Sequence, residues 1–330
     1  MEVVNGIYSP LTANIVNCSF SNCWGTAVSG IGNGGNNFPG WIAATIENCS
    51  FSSIGIGCSF YLSGVNYYGA YNGYGMGNVQ LLDNLFNNIT DTAISLTQNG
   101  IALNSPATVI NNIIFNASNA IISQDPWDAT VMDNIFMGCT NVVTDNGSLS
   151  RNIEFNDFYK NATNFIGYSS DYGTVIIDNR NSTPCDLLFN LYQNPLFVTT
   201  NNFKFTLQTN SPCIDAGTPN IAYMDTSFPP SQGTSFPDLG IYGGPLAANW
   251  LPVIQSSGAS FGVLTNTFGF AISAPFSMSI VVQVQACTNL ASGAWSALQS
   301  CTLTNGSSQF SDPAWTNYPG RFYRISYPYP

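Results

Sequence analysis

Six times in the first half of the chain an Asn is followed within two or three residues by a Phe, each time in an apolar setting. The stretches are Ile15-Val16-Asn17-Cys18-Ser19-Phe20, Ile46-Glu47-Asn48-Cys49-Ser50-Phe51 and Leu82-Asp83-Asn84-Leu85-Phe86. They continue as Ile110-Asn111-Asn112-Ile113-Ile114-Phe115, Met132-Asp133-Asn134-Ile135-Phe136 and Arg151-Asn152-Ile153-Glu154-Phe155. A constant core motif at variable spacing is what a coiled β-solenoid leaves in sequence, because insertions are confined to the loops between its strands. Most motifs are followed by a second short apolar run, such as Ala93-Ile94-Ser95-Leu96 or Ala120-Ile121-Ile122. Each coil is therefore expected to supply two or three short strands joined by tight Asn-bearing turns. Asn17, Asn48, Asn84, Asn112, Asn134 and Asn152 are expected to form a hydrogen-bonded ladder from coil to coil, and the Phe rings an internal stack.

Composition narrows the partners. Only 7% of the 330 residues are charged, well under the usual quarter. With six basic residues and a formal charge of −11, the chain has little with which to neutralise phosphates, which argues against nucleic acid. An anionic membrane surface is disfavoured for the same reason. No apolar run approaches a membrane-spanning length, so the chain is expected to be soluble, without membrane insertion. Met1-Glu2-Val3-Val4-Asn5 leads almost directly into the first coil. No signal segment precedes it, and a truncated or processed N-terminus is the favoured expectation.

The nine cysteines suggest an exported protein. Cys18 and Cys49 hold the same motif position in consecutive coils and are a candidate disulfide pair, since stacked strands lie ~4.8 Å apart, within disulfide reach; Cys185 with Cys213 and Cys287 with Cys301 are further candidate pairs. The alternative is that Cys18, Cys49 and Cys139 are small buried core residues. The chain has no His and no CxxC pair, which argues against a zinc or haem site.

Two long insertions interrupt the repeats. One runs from Ile31 to Trp41 and contains Phe38; the other, Val65 to Asn78, carries Tyr67, Tyr68, Tyr71 and Tyr74. Both leave after a second strand run in consecutive coils. Their aromatic residues, with Trp41, form the candidate contact surface for a sugar or a protein partner, or else fold back on the solenoid.

Residues 186–246 contain Asn194-Pro195-Leu196-Phe197, Ser211-Pro212-Cys213-Ile214-Asp215-Ala216-Gly217 and Asp238-Leu239-Gly240-Ile241-Tyr242. This resembles the closing segment of bacterial exported right-handed parallel β-helix surface proteins, which share the pectate-lyase-like fold and read D-P-L-F, S-P-x-I-D-A-G and D-x-G-A-Y. Asn194 and Ile241 depart from that pattern. The resemblance implies an extracellular or cell-surface location and no particular reaction. Residues 247–330 hold short alternating runs, among them Ser279 to Gln285, and are similar to the small immunoglobulin-like modules that end such proteins. The expected fold is all-β: a right-handed parallel β-helix over 1–246, with its closing segment at 186–246, then a small β-sandwich.

Catalytic chemistry has few residues to work with. The residue before each motif Asn runs Val16, Glu47, Asp83, Asn111, Asp133, Arg151 and by alternation is expected to point outward in a column. Glu47 and Asp83 would then stand ~5 Å apart and Asp83 and Asp133 ~10 Å apart, near the carboxylate spacings of retaining and inverting glycosidases. Glu47 and Asp83 are also candidate Ca²⁺ ligands, and the same column is otherwise plain strand polarity. The expectation is a structural or adhesive surface protein that associates with itself, or with neighbouring surface proteins, through an open solenoid edge. The alternatives are a polysaccharide lyase or glycoside hydrolase using Glu47, Asp83, Asp133 and Arg151, or a non-catalytic glycan-binding module using Tyr71 and Tyr74.

Overall fold

A computed structural model describes residues 2–5, 11–33, 40–63, 65–67, 71–73, 75–99, 105–124, 127–145, 152–168, 172–198, 200, 205–228, 230–250, 255–262, 267–273, 280–303 and 307–326. They form β-strands and short 3-10 turns in two compact units, Met1–Trp250 and Leu251–Pro330. Among the described residues no helix is long and apolar enough to cross a membrane.

In the first unit the chain alternates between two parallel sheets, and each strand pairs with its counterpart one circuit earlier. One sheet runs through Leu11–Val16, Gly40–Glu47, Gly75–Leu82, Ser105–Ile110, Trp127–Met132 and Asn152–Glu154. The other includes Thr26–Asn33, Ser50–Ser63, Leu85–Asn99, Ile113–Ser123, Ile135–Met137 and Asp157–Tyr159. Equivalent positions in successive circuits are 31, 35, 28, 22, 22 and 34 residues apart. The early surplus is the two insertions, which leave and return without disturbing strand register.

Alternation explains the core. In Gly40–Glu47 the side chains alternate between buried and partly exposed, with Ile42, Ala44 and Ile46 inward. Ile46 pairs with Ile15 and with Leu81, so aliphatic residues stack on aliphatic residues along the whole sheet. Each fully buried Ile, Leu or Phe contributes ~1.5–3 kcal/mol. The rings stack as expected from Phe20 to Phe51 and Phe86, with centroids 5.0 and 4.6 Å apart. Ile114 then takes the next position, opposite both Phe86 and Phe136. The column resumes with Phe136, Phe158 and Tyr192. Phe115 and Phe155 are therefore not members of it. Phe115 meets Phe205 edge-on, and Phe155 stacks on Phe189.

Residues from about 186 to 250 are mainly turns. The second unit consists of two three-stranded antiparallel sheets: Gln255–Gly262, Thr267–Ser273 and Ser307–Asp312, and Ser296–Leu303, Ile280–Cys287 and Phe322–Ser326. Rings from the two sheets meet, Phe268 with Tyr323 at 4.7 Å and Phe310 with Tyr323 at 5.8 Å, while Phe270 and Phe310 pack within one sheet at 5.0 Å. Asp312 accepts from the Arg321 guanidinium and the Tyr323 hydroxyl, each at 2.8 Å.

All nine cysteines are free thiols, which corrects the three expected disulfides. Cys18 and Cys49 do occupy neighbouring rungs, but the Cys49 thiol donates to the Glu47 and Ile15 carbonyls and accepts from the Cys18 amide. Cys213 instead donates to the Asp157 carboxylate, and Cys185 is buried without a sulfur partner. Cys301 faces Val282 while Cys287 faces Phe322, so strand register holds that pair apart.

Candidate functional site

Each circuit turns two tight corners, and both demand a residue in the left-handed region. At the first corner these are Asn17, Asn48, Asp83, Asn111, Asp133 and Phe155, with φ between 51 and 58°. Asn and Asp tolerate this conformation better than most side chains. The residue immediately after them points inward and forms the ladder. Asn112 is representative: its Nδ2 donates to Leu81 O, Ile110 O and Asn134 Oδ1, while its Oδ1 accepts from the Asn84 backbone amide. Asn84, Asn112, Asn134, Asn156 and Asn190 repeat this arrangement, after Cys18 and Cys49 in the first rungs.

Three expected ladder residues therefore stand elsewhere. Asn17 and Asn48 occupy the corner position one residue earlier, and Asn152 is an exposed strand residue paired with Thr130. The true rung in that circuit is Asn156. Sequence reading also missed Asn190, because no Phe follows it.

The same one-residue offset dissolves the outward carboxylate column. Glu47 is in register with Val16, Leu82, Ile110, Met132 and Glu154. Asp83 and Asp133 belong to the following, left-handed position, with Asn111 between them. They are 2% and 0% exposed, which corrects the expectation that they face solvent. Glu47 is half-buried and accepts from the Asn48 amide at 3.1 Å. Arg151 lies outside the described residues.

What covers this column is the closing segment. Thr218 N donates to Asp133 Oδ1 at 2.8 Å, and Gly240 N donates to the Asp133 carbonyl at 2.8 Å. Asn111 Nδ2 donates to the carbonyls of Asp238 and Gly240. Four residues past that segment, in the same unit, Trp250 Nε1 donates to the Asp83 carbonyl at 2.8 Å. Gly217 approaches so closely that an added Cβ would lie 2.9 Å from Asp133 Oδ1 and 2.7 Å from Pro237 Cβ. Gly240 has φ +84°, and a Cβ there would meet Ile113 at 2.8 Å.

The acids within the segment organise its own loops. Asp215 accepts from the Thr234 amide and hydroxyl. Asp238 accepts from the amides of Asp215 and Gln232. Asp225 accepts from the amides of Gly244 and Asp238. The S-P-C-I-D-A-G and D-L-G-I-Y stretches are thus accounted for by turn and docking geometry.

Burial shifts these carboxyls strongly. Desolvation raises Asp133 to about 8, against the lowering effect of the Thr218 amide. Asp225 reaches about 9, through desolvation and then the charge of Asp238. Asp83 is raised well above the ordinary carboxylate range by burial, then by Glu47, Asp225 and Asp133. Its Oδ1, the Oδ2 of Asp133 and the Oδ1 of Asn48 are buried without a hydrogen-bond partner, as suits carboxyls held neutral. Glu47 and Asp83 carry at most four carboxylate oxygens, short of the six to eight that Ca²⁺ takes. Among the described residues no group of three or more His, Cys, Asp or Glu is arranged to hold a metal ion.

The candidate aromatic surface is only partly visible. Trp41 is 41% exposed on Gly40–Glu47. The backbones of Tyr67 and Tyr71 pair in a short antiparallel hairpin, Val65–Tyr67 with Tyr71–Gly73. Phe38, Tyr68 and Tyr74 lie outside the described residues.

The second corner went unnoticed in the sequence. Asn22, Ser53, Asn88, Asn116, Gly138 and Lys160 all have φ between 53 and 72° and are all exposed. Each stands four residues after its ladder position, a constant offset that was available as a signal. Compared with family models, curated proteins and solved structures, the chain matches none.

Proposed function

We propose that the chain is a non-catalytic extracellular or cell-surface protein, structural or adhesive in role, built as a right-handed parallel β-helix closed by residues 186–246 and followed by an immunoglobulin-like sandwich. The observation that carries this reading is the burial of Asp83 and Asp133 beneath the closing segment. A carboxylate that must protonate or activate an external polymer has to reach it, and these two are 2% and 0% exposed, with the Asp133 carboxylate turned onto the Thr218 amide. Association with further copies of the chain, or with neighbouring surface proteins, is part of this reading.

Two assays test the reading. Electron microscopy of the purified protein is expected to show ordered assemblies; discrete particles at all concentrations would count against self-association. A panel of anionic and neutral polysaccharides is expected to gain no new chain ends. Cleavage that Asp83→Asn or Glu47→Gln abolishes would replace this reading with a lyase or hydrolase.

A further inference from the structure

The second corner differs from the first in one respect that bears on ligands: nothing among the described residues covers it. Two adjoining depressions, of about 320 and 360 Å³, run along it and share Asn88 and Thr90 as walls. The first extends past Ser53 to Asn22 and Trp24, the second past Asn116 to Ser118 and Gly138. Strand register makes these equivalent positions in successive circuits. Five circuits at ~4.8 Å each give a track of about 19 Å.

The chemistry of the lining is uniform. No charged residue lines either depression; the walls set amides, hydroxyls and backbone among the apolar surface of Ile54, Ile89 and Ala117. Asn116 Nδ2 donates to Asn88 Oδ1 at 3.2 Å, and each amide keeps further donors and acceptors to offer. At one end stands Trp24, fully exposed at 101%. Leaving an indole in water forgoes a large hydrophobic gain, and an exposed aromatic beside an uncharged groove of mixed polar and apolar lining is a surface awaiting a flat, partly apolar partner. A pyranose ring has such a face, with hydroxyls around its rim to meet the amides. Each sugar advances an extended glycan by about one coil rise, so a repeating chain would meet a repeating set of groups.

We propose that this groove binds an uncharged, hydroxyl-rich polysaccharide along the solenoid axis, with Trp24 as the stacking platform and Asn88 and Asn116 as hydrogen-bonding rungs. The proposal names what an adhesive solenoid would hold and in that sense rests on the preceding reading. Sequons at Asn88 and Asn116 need not interfere in a bacterial setting, where they normally carry no glycan.

The test is titration of the full chain with oligosaccharides of glucose, xylose and mannose, and with polygalacturonate as the charged comparator. At least one uncharged member is expected to bind, and Trp24→Ala to weaken it about tenfold or more. Because Trp24 is fully exposed, that variant keeps its fold. Asn88→Gly with Asn116→Gly, which preserves the left-handed backbone, is expected to weaken binding severalfold. No binding of any uncharged member, binding untouched by Trp24→Ala, or binding of polygalacturonate alone would overturn the proposal. Binding accompanied by new chain ends would overturn the non-catalytic reading and leave the groove standing.

Discussion

The two corners of each circuit share a backbone conformation and much of their composition, yet their fates are opposite. At the first, Asp83, Asn111 and Asp133 lie beneath the closing segment and Trp250 just after it, and each adjacent ladder amide satisfies main-chain groups of its own circuit and of the one before. At the second, Ser53, Asn88 and Asn116 keep the same left-handed turn in water. The comparison teaches that a left-handed corner favours Asn, Asp, Ser or Gly for conformational reasons alone, with Phe155 and Lys160 as the exceptions. Whether such a residue stabilises the fold or meets a ligand is decided by what lies over it. A column of polar residues in a repeat is thus evidence of turn geometry first.

The sharpest way to break this comparison is to delete one amide from each corner. Asn112→Ala leaves several buried main-chain groups unpaired and is expected to cost about 3–5 kcal/mol. Asn116→Ala is expected to cost only about 1 kcal/mol, from left-handed strain on Ala. Denaturant titration of the two variants measures the difference, and equal losses would mean that both corners bear load.

Next in size is Gly217→Ala. Its Cβ would press on Pro237 and Asp133, and a loss of about 1–3 kcal/mol is expected for overpacking. The same change at Gly293 of the second unit meets nothing within 4 Å and tests only the left-handed backbone, φ +63°, costing about 1 kcal/mol.

The pH dependence follows from the raised carboxyls. Asp133 and Asp225 are held near 8 and 9 in the folded chain against an ordinary 3.8, so the folded state binds their protons more tightly. Their stabilising contribution is complete below about pH 4 and is lost as pH rises through 8 to 9. Thermal midpoints are expected to fall over that window, and Asp133→Asn is expected to flatten part of the slope. A profile that is flat from pH 4 to 9 would show these acids to be solvated. The smallest effect belongs to Trp24→Ala, which is expected to shift stability by no more than about 0.5 kcal/mol.

Much of the parallel-sheet core was legible, because burial enforces both the Asn and the aliphatic alternation. What misled was residue type standing in for position. Asn17 and Asn48 precede their Phe by three residues, whereas Asn84 and Asn134 precede theirs by two. That difference records the step from corner to rung, with Cys18 and Cys49 as the rungs of the early circuits. Aligning every Asn at one position placed Glu47 level with Asp83 and turned a covered column outward. The hold of the closing segment and of Trp250 on Asp133 and Asp83 could not be read in sequence, since it acts across 85 residues from Asp133 to Thr218 and 167 from Asp83 to Trp250. The second corner was readable through its constant offset, but its accessibility was not.

The central claim, that the closing segment seals the acid column, is tested most directly by carbodiimide labelling of carboxyl groups in the native chain, read by peptide mass spectrometry. Exposed Asp91 and Asp128 are expected to label readily while Asp83 and Asp133 stay unmodified until the protein is unfolded. Labelling of Asp83 and Asp133 at the rate of Asp91 would contradict the account and return the column to the list of catalytic candidates.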